Sequence, residues 1–116
     1  MTDIIFEYKE LLATKLEIEQ KLSVLPKGYI SKKTIGGKQY LYLQTRNGDT
    51  VESKYIKAEE AQDITNQLSL RKEYESQLPE ILIRLADIET AAELLDKALL
   101  RKLKMLKLTS GMDSIS

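Results

Sequence analysis

GYISKKTIGGKQYLYLQTRNGDTVESKYIK, running from Gly28 to Lys57, is the stretch that decides the fold, because its apolar side chains recur with a period of two while the flanking sequence follows a helical period. Gly36-Gly37 and Asn47-Gly48 are dipeptides suited to the primed turns of tight hairpins. Two-residue turns at both places pair Ile35 with Lys38 and Arg46 with Asp49, and every other cross-strand neighbour follows. One face then carries the rows Lys33/Tyr40/Tyr55, Ser31/Tyr42/Ser53 and Tyr29/Gln44/Val51. The other carries Lys32/Leu41/Lys54, Ile30/Leu43/Glu52 and Thr34/Gln39/Ile56. On charge count in these rows the tyrosine face is expected to lie inward, since it holds one Lys against two Lys and a Glu opposite.

Working outward, residues 3–25 repeat apolar side chains at Ile4, Tyr8, Leu11, Ile18, Leu22 and Leu25, which predicts a helix with Thr2 or Asp3 as its N-cap. Pro26 and Gly28 end it. After the meander of residues 28–57, a helix is predicted over 58–78 and a second over 80–108, the latter seamed by Leu85, Ile88, Ala92, Leu95, Leu99, Leu103 and Leu106. Pro79 either separates the two or kinks one continuous helix. The last helix either folds back into a three-helix bundle or projects to pair with another copy. Residues 109–116, TSGMDSIS, are expected to fray. The predicted fold class is α+β: one domain of long helices in an antiparallel bundle or coiled coil, with an inserted three-stranded antiparallel β-meander.

Composition narrows the function. The 116 residues contain no Cys, His or Trp, so disulfides, thiolate nucleophiles, Cys-type zinc sites and the commonest general base are excluded. The expectation is a protein that is not an enzyme, with no cofactor, metal or catalytic residue. The acidic, amphipathic start and the lack of a long apolar run argue for a cytoplasmic protein with no membrane partner. The zero net charge hides a segregation: residues 26–57 hold seven Lys/Arg against two acids, while residues 1–25 and 58–79 are each net acidic. A local basic patch engages phosphate even in a neutral chain.

In the meander, Lys27, Lys32, Lys33, Lys38, Arg46, Lys54 and Lys57 surround Tyr29, Tyr40, Tyr42 and Tyr55, interleaving cations with rings that stack or donate a hydroxyl. The plain alternative is that Tyr favours strands and Lys on strands discourages aggregation. The runs Lys27-Gly28-Tyr29-Ile30, Gly37 to Leu43, Asn47-Gly48 and Ser53 to Ile56, followed by a Glu-rich helix, resemble a small uncharacterised prokaryotic family in which a helix, a tyrosine-rich meander and a further helix recur. More loosely, over residues 27–70, the arrangement is similar to the arm-type DNA-binding domains of tyrosine recombinases, which lay their sheet in the major groove. That likeness implies groove-facing Lys32, Thr34, Gln39 and Lys54, flanked by Lys38 and Arg46 at the turns. The long N-terminal helix, the acidic second helix and the missing recombinase catalytic domain depart from it.

Other signals carry less. Gly36-Gly37-Lys38 lacks the spacing of a phosphate loop and reads as a turn. Glu59/Glu60 and Glu73/Glu75 point apart on a helix and read as solvated faces. Lys97, Arg101, Lys102, Lys104 and Lys107 alternate with leucines, which fits a phosphate- or membrane-surface helix, a partner helix, or a core helix whose cations complement its dipole. The functional expectation is a nucleic-acid-binding regulator or accessory factor of a mobile element or phage. It contacts DNA in preference to RNA and forms a homodimer. The rival is a protein-interaction or oligomerisation module acting through the helices without nucleic acid.

Overall fold

In the computed structural model, which describes residues 3–113 and the side chains through Ser110, the chain is an α+β protein in which a three-stranded antiparallel sheet is inserted after the first of three long helices. The order is α1 (Ile4–Val24), β1 (Tyr29–Ile35), β2 (Lys38–Asn47), β3 (Thr50–Ile56), a 3-10 turn at Ala58–Glu60, α2 (Ala61–Leu95) and α3 (Lys97–Asp113). Two compact units result. One holds α1, the part of α2 from Tyr74 onward, and α3; the other is Val24–Glu73.

The helical unit is an up-down-up bundle. Asp3 caps α1, its Oδ1 accepting the Ile5 N–H at 3.0 Å. Thr2, the other cap candidate, lies outside the described residues. Glu7 takes Arg84 in a bidentate pair at 2.6 and 3.1 Å, and the Lys21 ammonium stands 5.5 Å from the Tyr74 ring, so α1 and α2 run in opposite directions. Lys107 reaches Glu89 at 3.7 Å, which brings α3 back along α2. The apolar stripes meet in one core of Tyr8, Leu12, Leu85, Ile88, Ala92 and Leu103, with Ile4, Ile5, Leu11, Ile81, Leu99, Leu100 and Leu106 packed around it. The bundle follows from those stripes, because each amphipathic helix must bury its apolar face against another.

Of the two readings offered at Pro79, the structure takes the continuous helix. The helices predicted at 58–78 and 80–108 are instead divided at Asp96, and α2 runs unbroken through the proline. Pro79 sits on the exposed side of α2, where its ring disturbs no packing. A continuous helix gives up the one N–H that proline lacks, and it keeps Ile81, Leu85, Ile88 and Ala92 on a single stripe into the core. The chain turns at Asp96 because that side chain caps the next helix: its Oδ1 accepts the Ala98 N–H at 2.9 Å while its backbone N–H still bonds Ala92 O at 2.8 Å. Replacing Asp96 with alanine is expected to lower stability by about 1 kcal/mol, read as a reduced urea midpoint at unchanged slope. Asparagine at the same place should recover most of it.

Residues 109–113 continue α3, and 114–116 lie outside the described residues. The Thr109 and Ser110 hydroxyls bond back to Leu106 O and Lys107 O at 3.1 and 3.0 Å, so these small polar residues satisfy carbonyls of the last turns.

In the sheet unit the strand order is β1-β2-β3, and the first hairpin has the predicted register, with Ile35 opposite Lys38 and Tyr29 opposite Gln44. Gly36 and Gly37 both take positive φ, as a type I′ turn requires. The second hairpin is shifted by two residues from the prediction. Asn47 pairs with Thr50 and Arg46 with Val51, so the loop is Gly48-Asp49. Gly48 has a φ of +62° and no residue other than glycine among the described residues has a positive φ, which is the sign pattern of a type II′ turn with glycine first. This arrangement spares Asn47 the left-handed conformation that a type I′ turn would force on it. A shift of two preserves which side chains share a face, so the two predicted faces survive with new β3 neighbours.

Candidate nucleic-acid interface

The pairing puts Lys33, Lys38 and Arg46 on the tyrosine face, in the rows Ile35/Lys38, Lys33/Tyr40, Ser31/Tyr42/Tyr55, Tyr29/Gln44/Ser53 and Arg46/Val51. No carboxylate occurs among the strand residues of this face. The opposite face carries Thr34/Gln39, Lys32/Leu41/Ile56, Ile30/Leu43/Lys54 and Thr45/Glu52. The expectation that the tyrosine side lies inward is met only in part. Gln44 is buried on that side and Ile56 on the other, while Tyr40, Tyr42, Leu41 and Leu43 are all half-buried. Tyr29 and Tyr55 remain 64% and 53% exposed, so the tyrosine side presents open ring surface.

These rings form a cluster. Tyr55 meets Tyr42 edge-on with centroids 5.9 Å apart and lies 6.3 Å from Tyr40, and the Lys33 ammonium stands 4.8 Å from the Tyr42 centroid. Tilted and edge-to-face contacts of this kind hold rings in fixed orientation, and the cation over Tyr42 adds about 0.5–1 kcal/mol at an exposed site. Beneath the cluster the buried Gln44 Oε1 accepts the Ser53 hydroxyl at 2.6 Å, which satisfies the carbonyl half of that amide and links β2 to β3 through side chains. The platform is therefore braced across the middle of the sheet.

The six residues proposed from sequence do not form one surface. Lys32, Thr34, Gln39 and Lys54 do share a face, and all six are exposed. That face, however, is bordered by the helix: Thr65, Leu68, Ser69 and Lys72 of α2 line a groove of about 340 Å³ with Gly28, Tyr29, Ile30 and Lys32. Lys38 and Arg46 point to the opposite side and stand at the two ends of β2, eight residues or roughly 27 Å apart. Arg46 is further committed locally, its Nε donating to Gly48 O at 3.2 Å.

Sequence reasoning missed two contributors. Lys33 was one of seven meander cations without distinction, and only the ring under its ammonium singles it out. Lys72 lies in a different element, and its place beside Lys32 depends on where α2 comes to rest. Strand parity alone could have moved Lys38 and Arg46 onto the Lys33 face.

The fold defines a class: an α+β protein whose cation-bearing antiparallel meander is inserted among long helices. Among the described residues, no group of three or more His, Cys, Asp or Glu could hold a metal ion, and no helix is long and apolar enough to cross a membrane. The chain belongs to the family described as Domain of unknown function (DUF6788), whose model matches residues 8–66, just over half of the 116. That span runs from α1 through the whole meander into the start of α2. This agrees with the expected uncharacterised family, whereas no comparison links the chain to the arm-type domains of tyrosine recombinases. No curated protein and no solved structure matches.

Proposed function

We propose that this protein is a non-catalytic nucleic-acid-binding factor that holds single-stranded DNA on the tyrosine face of its meander. The observation that carries this reading is the coincidence on one sheet face of Lys33, Lys38 and Arg46, no strand carboxylate, and the two largely exposed rings of Tyr29 and Tyr55. Cations along a strand register meet backbone phosphates, and open rings take unpaired bases by stacking, which a duplex cannot offer from its interior. The helix bordering the Lys32 side argues against that side entering a major groove. The binding face therefore differs from the one the recombinase likeness implied, and a regulatory or accessory role needs no further chemistry from this chain.

The test is a titration against single-stranded DNA, duplex DNA and single-stranded RNA at two salt concentrations. Single-stranded DNA should bind tightest and weaken with salt. Tyr55→Ala should lower affinity by roughly 5- to 100-fold, as loss of one stacking platform does. A Lys33→Ala, Lys38→Ala, Arg46→Ala triple should reduce the salt slope by about 2. A Lys32→Ala, Lys54→Ala double, on the other face, should bind like the parent. Absence of binding at low salt, or equal losses from both sets, would overturn the proposal.

A further inference from the structure

The helical unit carries a surface that the nucleic-acid reading does not use, where α2 and α3 lie side by side. Two contacts define it: Glu89 and Lys107 meet across the pair, and Glu93, Lys97, Leu100 and Arg101 line a groove of about 400 Å³ near the turn at Asp96. At about 100° per residue, the same side of α2 also presents Leu82 and Ala86, and that of α3 presents Lys104 and Leu108. Leu82 is 46% and Leu108 67% exposed, both large apolar side chains left in water by a single copy. The charge is divided by helix. Glu89 and Glu93 mark the α2 half, and Lys97, Arg101, Lys104 and Lys107 the α3 half.

We propose that this surface joins two copies of the chain about a two-fold axis parallel to the helices, setting α2 of each copy against α3 of the other. Charge selects both the occupant and the axis. A two-fold axis along the helices lays each acidic half on the basic half of the second copy, whereas one across them lays acid on acid and base on base. Because α2 and α3 run antiparallel and turn at Asp96, equal heights along the bundle are matched: Glu93 meets Lys97 and Arg101 of the second copy, and Leu82 meets its Leu108. The apolar pair at the far end and the ion pairs near the turn then fix one register. This dimer rests on the bundle alone and is independent of what the meander binds.

Sedimentation equilibrium from 1 to about 100 µM tests it, with circular dichroism confirming that each variant is folded. The parent should sediment as a dimer. Glu93→Lys alone should face Lys97 and Arg101 of the second copy, and Arg101→Glu alone should face Glu93; each should weaken dimerisation by about a hundredfold. Mixed in equal amounts, the two variants should regain dimerisation, since both cross-copy contacts between positions 93 and 101 are then opposite in sign and a single contact with Lys97 stays unfavourable. Leu108→Asp should be monomeric in any mixture. A monomeric parent over this range, single reversals that stay dimeric, or a mixture that stays monomeric would each overturn the proposal.

Discussion

Replacing Gly28 with alanine should be the most damaging single change in the sheet unit, destabilising the protein by about 3 kcal/mol or more. Gly28 has a φ of +110°, a region that residues with a Cβ rarely enter. A Cβ there would also lie 2.0 Å from the backbone oxygen of Gln44 and 3.0 Å from its carbonyl carbon. Neither can yield, since Gln44 sits in the central strand, pairs with Tyr29 on one side and Ser53 on the other, and has a buried side chain. The approach is held from the preceding residue too, where Lys27 O accepts the Thr45 hydroxyl at 3.2 Å. Gly36 provides the control: its φ is +60°, but an added Cβ meets nothing within 4 Å. Gly36→Ala should cost only about 1 kcal/mol. Urea unfolding of the three proteins checks the order, and hydrogen exchange should show the β1 amides exposed first in Gly28→Ala. Equal losses at the two positions would remove the steric account.

Tyr8→Ala should cost about 3–5 kcal/mol, a large share of the roughly 5–15 kcal/mol that a domain of this size commands. Tyr8 is fully buried at the centre of the bundle, so removing the ring leaves a cavity lined by Leu12, Leu85, Ile88, Ala92 and Leu103. The informative companion is Tyr8→Phe. The Tyr8 hydroxyl is buried without a well-formed hydrogen bond, so deleting it removes a desolvated group and should leave stability unchanged or slightly raised near neutral pH. Burial first, and then the Glu89 carboxylate, pushes the Tyr8 pKa from its ordinary 10.0 up to about 12. The fold therefore favours the neutral phenol. That preference is fully present below pH 10 and is lost as pH rises towards about 12, where the unfolded chain ionises before the folded one. Thermal unfolding of both proteins between pH 8 and 11 should accordingly show the parent losing stability relative to the phenylalanine variant. A parallel decline would mean that the hydroxyl reaches solvent in the folded protein and ionises there as it does in the unfolded chain.

Much of the local structure was legible. Alternation at two between Tyr29 and Ile56 identified three strands, and Gly36-Gly37 set the first register because a type I′ turn has few other sequences to choose from. The Asn47-Gly48 pair misled by two residues: it also reads as a I′ turn, and the choice of a II′ loop at Gly48-Asp49 depends on how the whole ladder pairs. Pro79 left two readings open for a related reason. A proline is a local signal with a local cost, and continuity of the α2 stripe against α1 and α3 is a larger, nonlocal gain. Among the candidate interface residues, parity gave the grouping of Lys32, Thr34, Gln39 and Lys54, but not the side of the sheet on which α2 would settle.

The amino-acid order by itself determined the element types, the first hairpin and the bipartite faces of the sheet, because backbone period and turn stereochemistry act over a few neighbouring residues. The position of the chain reversal at Asp96, the brushing contact at Gly28 and the side of the meander left open to solvent were decided only in three dimensions. Each depends on which distant segment fills a given space, and steric exclusion between segments leaves no periodic trace along the chain.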